Sequence, residues 1–170
     1  MMAKYETAPY QTIETDGEFE LRAYEAFYTA AVESPLWESS DGFRQIFDYI
    51  SGSNETGEKI SMTTPVFNEL DQTATSTEFV MPSDYVEKPL PKPQNPAVRI
   101  KSHEARLVAT LRFSGTVQAR SVKQQEEKLR QWISAHGLVA MGTPRLARYN
   151  APFIPPFLRR NELLLDVQKL

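Results

Sequence analysis

Two stretches of helical hydrophobic periodicity, each set among short strand-like segments, constrain the fold of this chain most strongly. The first stripe consists of Phe43, Ile46, Phe47 and Ile50, spaced i, i+3, i+4, i+7. The second consists of Val122, Leu129, Trp132 and Ile133. Each stripe predicts a helix with one apolar face that must be buried against another element. The strands of the chain provide that element, which predicts an α+β fold.

Capping residues set the expected ends of both helices. Ser39 or Ser40 is placed to cap the first helix, and Gly52 stands where a left-handed residue ends it. Ser121 is placed to cap the second helix, and Gly137 to end it.

Short apolar runs around the helices predict strands at 19–24, 27–32, 60–67, 77–81, 106–113, 145–149 and 162–167. The first two runs are separated by Glu25-Ala26 and are expected to pair as a hairpin. Pro65 predicts an edge, a bulge or a strand start within 60–67, because proline cannot donate to a ladder.

The order of elements recurs in the two halves of the chain. Residues 17–84 and 104–168 each run strand, helix, strand, strand, and the first half has an extra N-terminal strand. We expect duplicated βαββ halves that place two helices against an antiparallel sheet, with a groove between the halves. The proline-rich stretch 89–96 is expected to connect them within one domain, 1–170, since neither flank is large enough for a comfortable separate core.

Composition narrows the partners of this 170-residue chain. A net charge of −3 does not favour nucleic acid, and Arg159-Arg160 alone is a weak basic signal. The absence of cysteine excludes thiolate ligation of zinc, iron–sulfur clusters or haem. No run approaches the roughly 20 apolar residues of a membrane span, and the N-terminal residues have no apolar signal core. We therefore expect a soluble, cytoplasmic protein.

Catalytic motifs are missing from the sequence. It contains no phosphate loop, no Gly-x-Gly-x-x-Gly and no nucleophile–histidine arrangement, so no catalytic or metal site is expected. His103 lies in an expected polar turn, and His136 lies at the end of the second helix, where the helix dipole favours a cation. Met62, Met81 and Met141 could either ligate iron weakly or fill gaps in the core, and core filling is the favoured expectation.

Four segments, in this order, resemble the SOUL haem-binding protein family. They are 19–24, 42–66 (GFRQIFDYISGSNETGEKISMTTPV), 89–100 and 149–162. The resemblance implies a distorted antiparallel sheet or barrel of two βαββ halves with two helices, similar to effector-binding domains of the gyrase-inhibitor type.

The resemblance also implies non-covalent binding of haem or another tetrapyrrole in an apolar cleft near the first helix. The implied apolar contacts are Phe43, Phe47, Ile50, Met62, Leu129 and Trp132. Lys59, Arg44 or Arg159 would then pair with the propionates. Some family members place a proposed histidine ligand at the position of Ala23, so axial ligation from that site is not expected here.

Glu162 supports an alternative. It follows Arg159-Arg160-Asn161 and opens an apolar run, which predicts either a buried carboxylate paired with an arginine or a group facing a ligand. In effector-binding domains of similar fold an acidic group recognises cations. The alternative function is an effector-sensing module that binds amphipathic organic cations between the halves, with Glu162 as anchor.

Overall fold

The computed structural model describes residues 5–34, 41–71, 75–150 and 153–170. In chain order its strands and helices are β1 (Glu6–Thr7), β2 (Tyr10–Asp16), β3 (Phe19–Tyr24), β4 (Phe27–Ser34), α1 (Asp41–Ile50), β5 (Thr63–Thr64), β6 (Val66–Leu70), β7 (Thr75–Val80), β8 (Val98–His103), β9 (Arg106–Phe113), α2 (Ala119–Ala135), β10 (Leu138–Arg148) and β11 (Asn161–Lys169). The chain divides into two compact units. The first unit comprises Met1–Pro9 and Ala26–Glu104, and the second comprises Tyr10–Glu25 and Ala105–Leu170.

The first unit packs α1 against four antiparallel strands in the order β6-β7-β4-β8, and β1 pairs with β5 in parallel beside them. Its core consists of Ala30, Val32, Ile46, Tyr49, Ile50, Ile60, Phe79, Met81, Tyr85 and Val98. Gly42 lets α1 approach β7 closely, because a Cβ added there would lie 2.9 Å from Oγ1 of Thr77. Helix α1 therefore packs closely against β7, and a side chain at position 42 would push the two apart.

The second unit packs α2 against five strands in the order β2-β3-β9-β11-β10, again antiparallel. The predicted stripe of α2 is confirmed, since all four of its members are buried: Val122, Leu129, Trp132 and Ile133. Ser121 is not the cap residue. It is the third residue of a helix that begins after Gln118, and its hydroxyl accepts a hydrogen bond from the Gln118 N–H at 3.1 Å.

The two units repeat one arrangement, which confirms the α+β class and its βαββ halves. In the first, β4, which precedes α1, pairs with β7, the second of the unit's four antiparallel strands to follow α1, giving β4-β7-β6. In the second, the same rule gives β9-β11-β10. An additional strand flanks each set, β8 beside β4 and β3 beside β9.

The predicted hairpin of β3 with β4 is wrong. Strand β3 pairs with β2 and β9, and β4 pairs with β7 and β8. The two residues between these strands, Glu25-Ala26, lack the Gly, Asn or Asp that two-residue hairpin turns require. The break predicted at Pro65 is confirmed: β5 ends before it, β6 begins after it, and the Thr64–Pro65 bond is cis. The predicted caps Ser39 and Ser40 lie outside the described residues.

Candidate functional site

Helix α1 carries two aromatic rings on its outer surface. Phe43 is 41% exposed and Phe47 is 49% exposed, and their rings stack with centroids 6.4 Å apart. The buried face is formed by Ile46, Tyr49 and Ile50, each 4% exposed or less. The expectation that Phe43 and Phe47 lie on the buried stripe is therefore wrong. Tyr49 takes the place expected for them, and the outer face of α1 is left apolar.

Tyr49 can be buried in the core because its hydroxyl group has a hydrogen-bond partner. The Tyr49 hydroxyl donates a hydrogen bond of 2.6 Å to the carbonyl of Pro91, within the proline-rich stretch. A buried tyrosine whose hydroxyl is satisfied packs like another aromatic residue. This contact also fastens the proline-rich stretch to α1 within the first unit.

A cavity of about 320 Å³ lies beside α1 in the first unit. It is lined by Phe47, Ile50, Ser51, Lys59, Ile60 and Met62. Met62 is 38% exposed and Met141 is 44% exposed, so the expectation that they fill the core is wrong, whereas it is confirmed for Met81, which is 3% exposed. The cavity thus has an apolar wall of ring, aliphatic and thioether groups, and the exposed side chain of Lys59 supplies a cation.

Asn54 organises the segment that forms the far wall of this cavity. Its side chain is 1% exposed and donates hydrogen bonds to the carbonyls of Tyr49 at 3.1 Å and Glu58 at 2.8 Å. Its Oδ1 accepts from the Glu58 N–H at 3.1 Å. Two residues after Glu58, the Ile60 N–H donates a hydrogen bond to the carbonyl of Ile50, the last residue of α1, at 2.8 Å. Sequence reasoning did not single out Asn54, although a polar residue two positions after the helix-ending Gly52 was a usable signal.

The remaining predicted contacts are spread over both units. Arg44 is exposed on α1 in the first unit. Leu129 is fully buried and Trp132 is 7% exposed, both in the core of the second unit. The Trp132 indole N–H donates to Oδ2 of Asp16 at 2.8 Å, and its ring stacks on Phe19 with centroids 5.4 Å apart. Phe47, Ile50, Lys59 and Met62 are therefore the predicted residues that line one cavity together.

Glu162 lies at the centre of a buried ion-pair cluster in the second unit. Its carboxylate is 0% exposed and accepts two hydrogen bonds from Arg22, at 2.7 and 2.8 Å. Arg160 donates two more, at 3.2 and 2.9 Å. Nε of Arg112 approaches the same carboxylate at 3.8 Å. The prediction of a buried carboxylate paired with an arginine is confirmed.

Electrostatics keep both members of the central pair ionised. Burial acts to raise the pKa of Glu162, but the hydrogen bonds and charge of Arg22, reinforced by Arg160, outweigh it and lower that pKa. Burial acts to lower the pKa of Arg22, and Glu162 likewise reverses this and raises it. The pair is a fixed charge couple rather than a group poised to exchange protons.

Both histidines are engaged in the fold. His103 ends β8 rather than lying in a turn, and its Nε2 lies 3.0 Å from Oε1 of Glu78 and 3.0 Å from Oγ1 of Thr29. His136 is the C-terminal cap residue of α2, as its position predicts, and its Nδ1 lies 2.8 Å from the carbonyl oxygen of Trp132. Neither histidine belongs to the cavity beside α1.

The contacts of Glu78 give the first unit its own buried charge. Burial of this side chain, which is 1% exposed, would raise the pKa of its carboxyl. Hydrogen bonds from His103 and Thr29 and the charge of Lys101, whose Nζ lies 3.6 Å away, lower the pKa of Glu78 to about 2 instead. Glu78 is therefore ionised at neutral pH.

The part of the chain that the structure describes has neither a membrane-spanning helix nor a metal-binding cluster. Within it, no helix is both long and apolar enough to cross a membrane. Within the same residues, no group of three or more His, Asp or Glu side chains is arranged to hold a metal ion.

Comparison with known sequences gives two matches that span almost the whole chain. The model of the SOUL heme-binding proteins matches residues 5–166. The mouse (Mus musculus) protein "Heme-binding protein 1" is 27% identical over 180 aligned positions, covering 97% of this chain and 94% of the mouse protein.

Solved structures share the fold at lower sequence identity. The C-terminal domain of EcmrR superposes with a TM-score of 0.67 at 12% identity, covering 95% of this chain and 99% of that domain. A hydrolase from Listeria innocua superposes with a TM-score of 0.60 at 14% identity, covering 92% of this chain and 94% of the hydrolase. At such identities the likeness shows the fold alone.

Proposed function

The chain belongs to the SOUL heme-binding protein family, and from this membership we propose that it binds haem or another tetrapyrrole without covalent attachment. The ligand would lie at the cavity beside α1 in the first unit, within one binding domain of residues 1–170. The cytoplasmic location and the lack of a nucleic-acid partner expected from the sequence are part of the same proposal.

The exposed apolar surface of α1 is the observation that carries the proposal. Phe43, Phe47 and Met62 are each 38–49% exposed, and Phe47 and Met62 border the cavity. Two stacked aromatic rings that are exposed to solvent beside an apolar cavity are typical of a ligand-binding surface. These residues fit a flat apolar ring system.

The size of the cavity defines how such a ligand would be held. At about 320 Å³ it is at the lower end of small-molecule sites, so it would take one edge of a macrocycle while Phe43 and Phe47 cover part of a face. Burial of apolar area contributes about 25 cal/mol per Å² before the costs of association. The hydrophobic contact therefore supplies most of the expected binding free energy.

Charged side chains near the cavity suit the acidic groups of the ligand. Lys59 lines the cavity, and Arg44 is exposed on the same helix that carries the aromatic pair. Either cation would pair with a propionate at the solvent edge of the macrocycle. Contacts from Leu129, Trp132 and Arg159 of the second unit stay predictions of the family resemblance.

The cavity offers no imidazole to the iron. Its lining contains no histidine, and the position where some relatives have one is Ala23. The macrocycle would supply the Soret absorption that reports binding, and this chain's part is to bury, orient and charge-match the macrocycle. Affinity is expected to depend on the apolar wall rather than on an iron–histidine bond.

A hemin titration of the unchanged protein tests the proposal. We expect a saturable change in the Soret band with one equivalent bound at low micromolar protein, since apolar burial alone reaches about micromolar affinity. A linear, unsaturable change that matches hemin in buffer would contradict the proposal.

The alternative function, recognition of amphipathic organic cations by Glu162, stays a prediction. In the structure both carboxylate oxygens of Glu162 already accept hydrogen bonds from arginines. A cationic ligand would have to displace Arg22 or Arg160, so the described contacts favour the tetrapyrrole.

A further inference from the structure

A second cavity, separate from the one beside α1, lies within the second unit. Its volume is about 510 Å³, within the range of small-molecule sites. It is lined by Glu18, Arg112, Phe113, Ser114, Leu158, Arg159 and Arg160. These residues come from the β2–β3 turn, the end of β9 and the segment before β11.

Hydrogen bonds fix the walls of this cavity. The Gly115 N–H donates to the carbonyl of Pro156 at 2.9 Å, and Nδ2 of Asn161 donates to the carbonyl of Gly115 at 3.1 Å. Nε of Arg159 donates to the carbonyl of Ile154 at 2.7 Å. The segment before β11 is therefore held by a hydrogen bond within itself and by hydrogen bonds to the turn after β9. These bonds give the cavity a defined shape.

The charge of the lining is opposite to that of the whole chain. Three arginines face one carboxylate, Glu18, which gives 3 − 1 = +2 in a protein of net charge −3. Behind this lining the buried Arg22 pairs with both Glu162 and Glu20 at 2.7 Å, and including these three residues leaves a surplus of 4 − 3 = +1. The lining therefore presents a local positive potential to solvent.

Arg112 is the arginine with the most remaining capacity to bind a ligand. Its side chain is 55% exposed, and its contact with Glu162 is 3.8 Å long, beyond hydrogen-bonding distance. Nε and Nη2 of Arg160, in contrast, donate to Glu162, and its guanidinium stacks on Tyr149 at 3.9 Å. A guanidinium fork matches the paired oxygens of a carboxylate or phosphate.

Apolar groups adjoin these cations. Leu158 is 63% exposed, and Phe113 is half-buried beside it in the lining. We propose that this cavity binds a small organic anion, with its carboxylate or phosphate on Arg112 and neighbouring arginines and its short apolar body on Leu158 and Phe113. This proposal does not depend on tetrapyrrole binding in the first unit.

Isothermal titration with phenyl phosphate tests the proposal, because that probe joins an aryl group to a phosphate. The unchanged protein should bind it saturably and more tightly than inorganic phosphate, which lacks the apolar body. Arg112→Gln should weaken phenyl phosphate binding by about tenfold, since hydrogen bonds between charged groups are the strong ones. The control Arg130→Gln, an exposed arginine of α2 in the same unit, should change affinity by less than about twofold.

A second variant separates the apolar contact from the charge. Leu158→Asn should weaken phenyl phosphate binding and leave inorganic phosphate binding unchanged, and Val139→Asn, which alters another exposed apolar side chain of this unit, should change neither. Circular dichroism melts of all variants check that they fold.

Three results would overturn the proposal. One is the absence of saturable phenyl phosphate binding to the unchanged protein. Another is equal weakening by Arg112→Gln and Arg130→Gln, which would show general charge attraction. The third is binding to vesicles of anionic lipid without binding to phenyl phosphate, which would assign the arginines to a membrane surface instead.

Discussion

Replacement of Glu162 by glutamine tests whether the ion-pair cluster of the second unit is a structural anchor. Glu162 and Arg22 are 0% and 1% exposed, and the carboxylate accepts two hydrogen bonds from Arg22 and two from Arg160. A glutamine amide would point donor hydrogens at guanidinium donors and leave Arg22 with Glu20, whose Oε2 lies 2.7 Å from Nε, as its remaining carboxylate partner. Breaking such a pair costs about 3–5 kcal/mol, so Glu162→Gln should lower the free energy of unfolding by that amount.

Urea unfolding followed by circular dichroism and tryptophan fluorescence measures this change. Glu126→Gln is the matched control, because Glu126 pairs with Arg130 at 2.8 Å on the exposed side of α2. That pair is worth about 0.3–0.5 kcal/mol, and its loss should be barely detectable. The double exchange Arg22→Met with Glu162→Leu removes both charges and should be less destabilising than Glu162→Gln alone.

A loss of less than about 1 kcal/mol in Glu162→Gln would refute this interpretation, since Arg22 and Arg160 would then each lose two charge-assisted hydrogen bonds at almost no cost. A double variant as unstable as the single one would also refute it. That result would mean that the loss of side-chain packing, and not the loss of charge pairing, accounts for the decrease in unfolding free energy.

Two further predictions concern Glu78 and the histidines. The pKa of Glu78 is lowered from 4.5 to about 2, so the contribution of its contacts is complete above pH 4.5 and is lost as the pH falls toward 2. This contribution amounts to about 3 kcal/mol. The free energy of unfolding of Glu78→Gln should therefore fall less between pH 4.5 and pH 2 than that of the unchanged protein. Parallel curves of unfolding free energy against pH would contradict this prediction. Exchange of His103 and His136 for glutamine together should leave hemin affinity within about threefold, because neither lines the cavity beside α1. A Soret titration checks this, and a loss beyond tenfold would point to an imidazole ligand.

The helical periodicity predicted much of the fold because it reports burial directly. All members of the α2 stripe are buried, and the repeated order of strands and helices became a repeated order of strand pairing. The stripe of α1 was predicted less well. Positions 43, 46, 47 and 50 and positions 46, 49 and 50 are both consistent with one helix face. Which set is buried depends on whether the Tyr49 hydroxyl has a hydrogen-bond partner in the core. That partner is the carbonyl of Pro91, 42 residues away along the chain, so local sequence could not reveal it.

The polar contacts of the sites could not be predicted from local sequence. Arg22 and Glu162 are 140 residues apart, and they meet because β3 and β11 both pair with β9. His103 and Glu78 meet because β7 and β8 flank β4 on either side. Which strands are neighbours is decided by the packing of the whole unit, whereas sequence patterns describe one strand at a time. Glu162 itself was identifiable, because a carboxylate at the start of an apolar strand must have a partner.

The central claim is that exposed apolar groups of α1 hold a macrocycle, and Phe47 is the residue that tests it. The Phe47 ring is about half exposed, so a ligand would cover roughly 100 Å² of it, worth about 2 kcal/mol before association costs. Phe47→Ser should therefore weaken hemin binding by about tenfold or more. The variant should keep its fold, because the ring lies outside the buried face of α1, which is formed by Ile46, Tyr49 and Ile50. Phe157→Ser is the matched control, an exposed phenylalanine of the second unit that is absent from the lining of the cavity beside α1.

The most direct measurement is the hemin dissociation constant of these two variants and the unchanged protein, from Soret titrations at equal protein concentration. We expect a tenfold or greater loss for Phe47→Ser and a change of less than about twofold for Phe157→Ser. Equal affinities in all three proteins, or equal losses in both variants, would contradict this expectation.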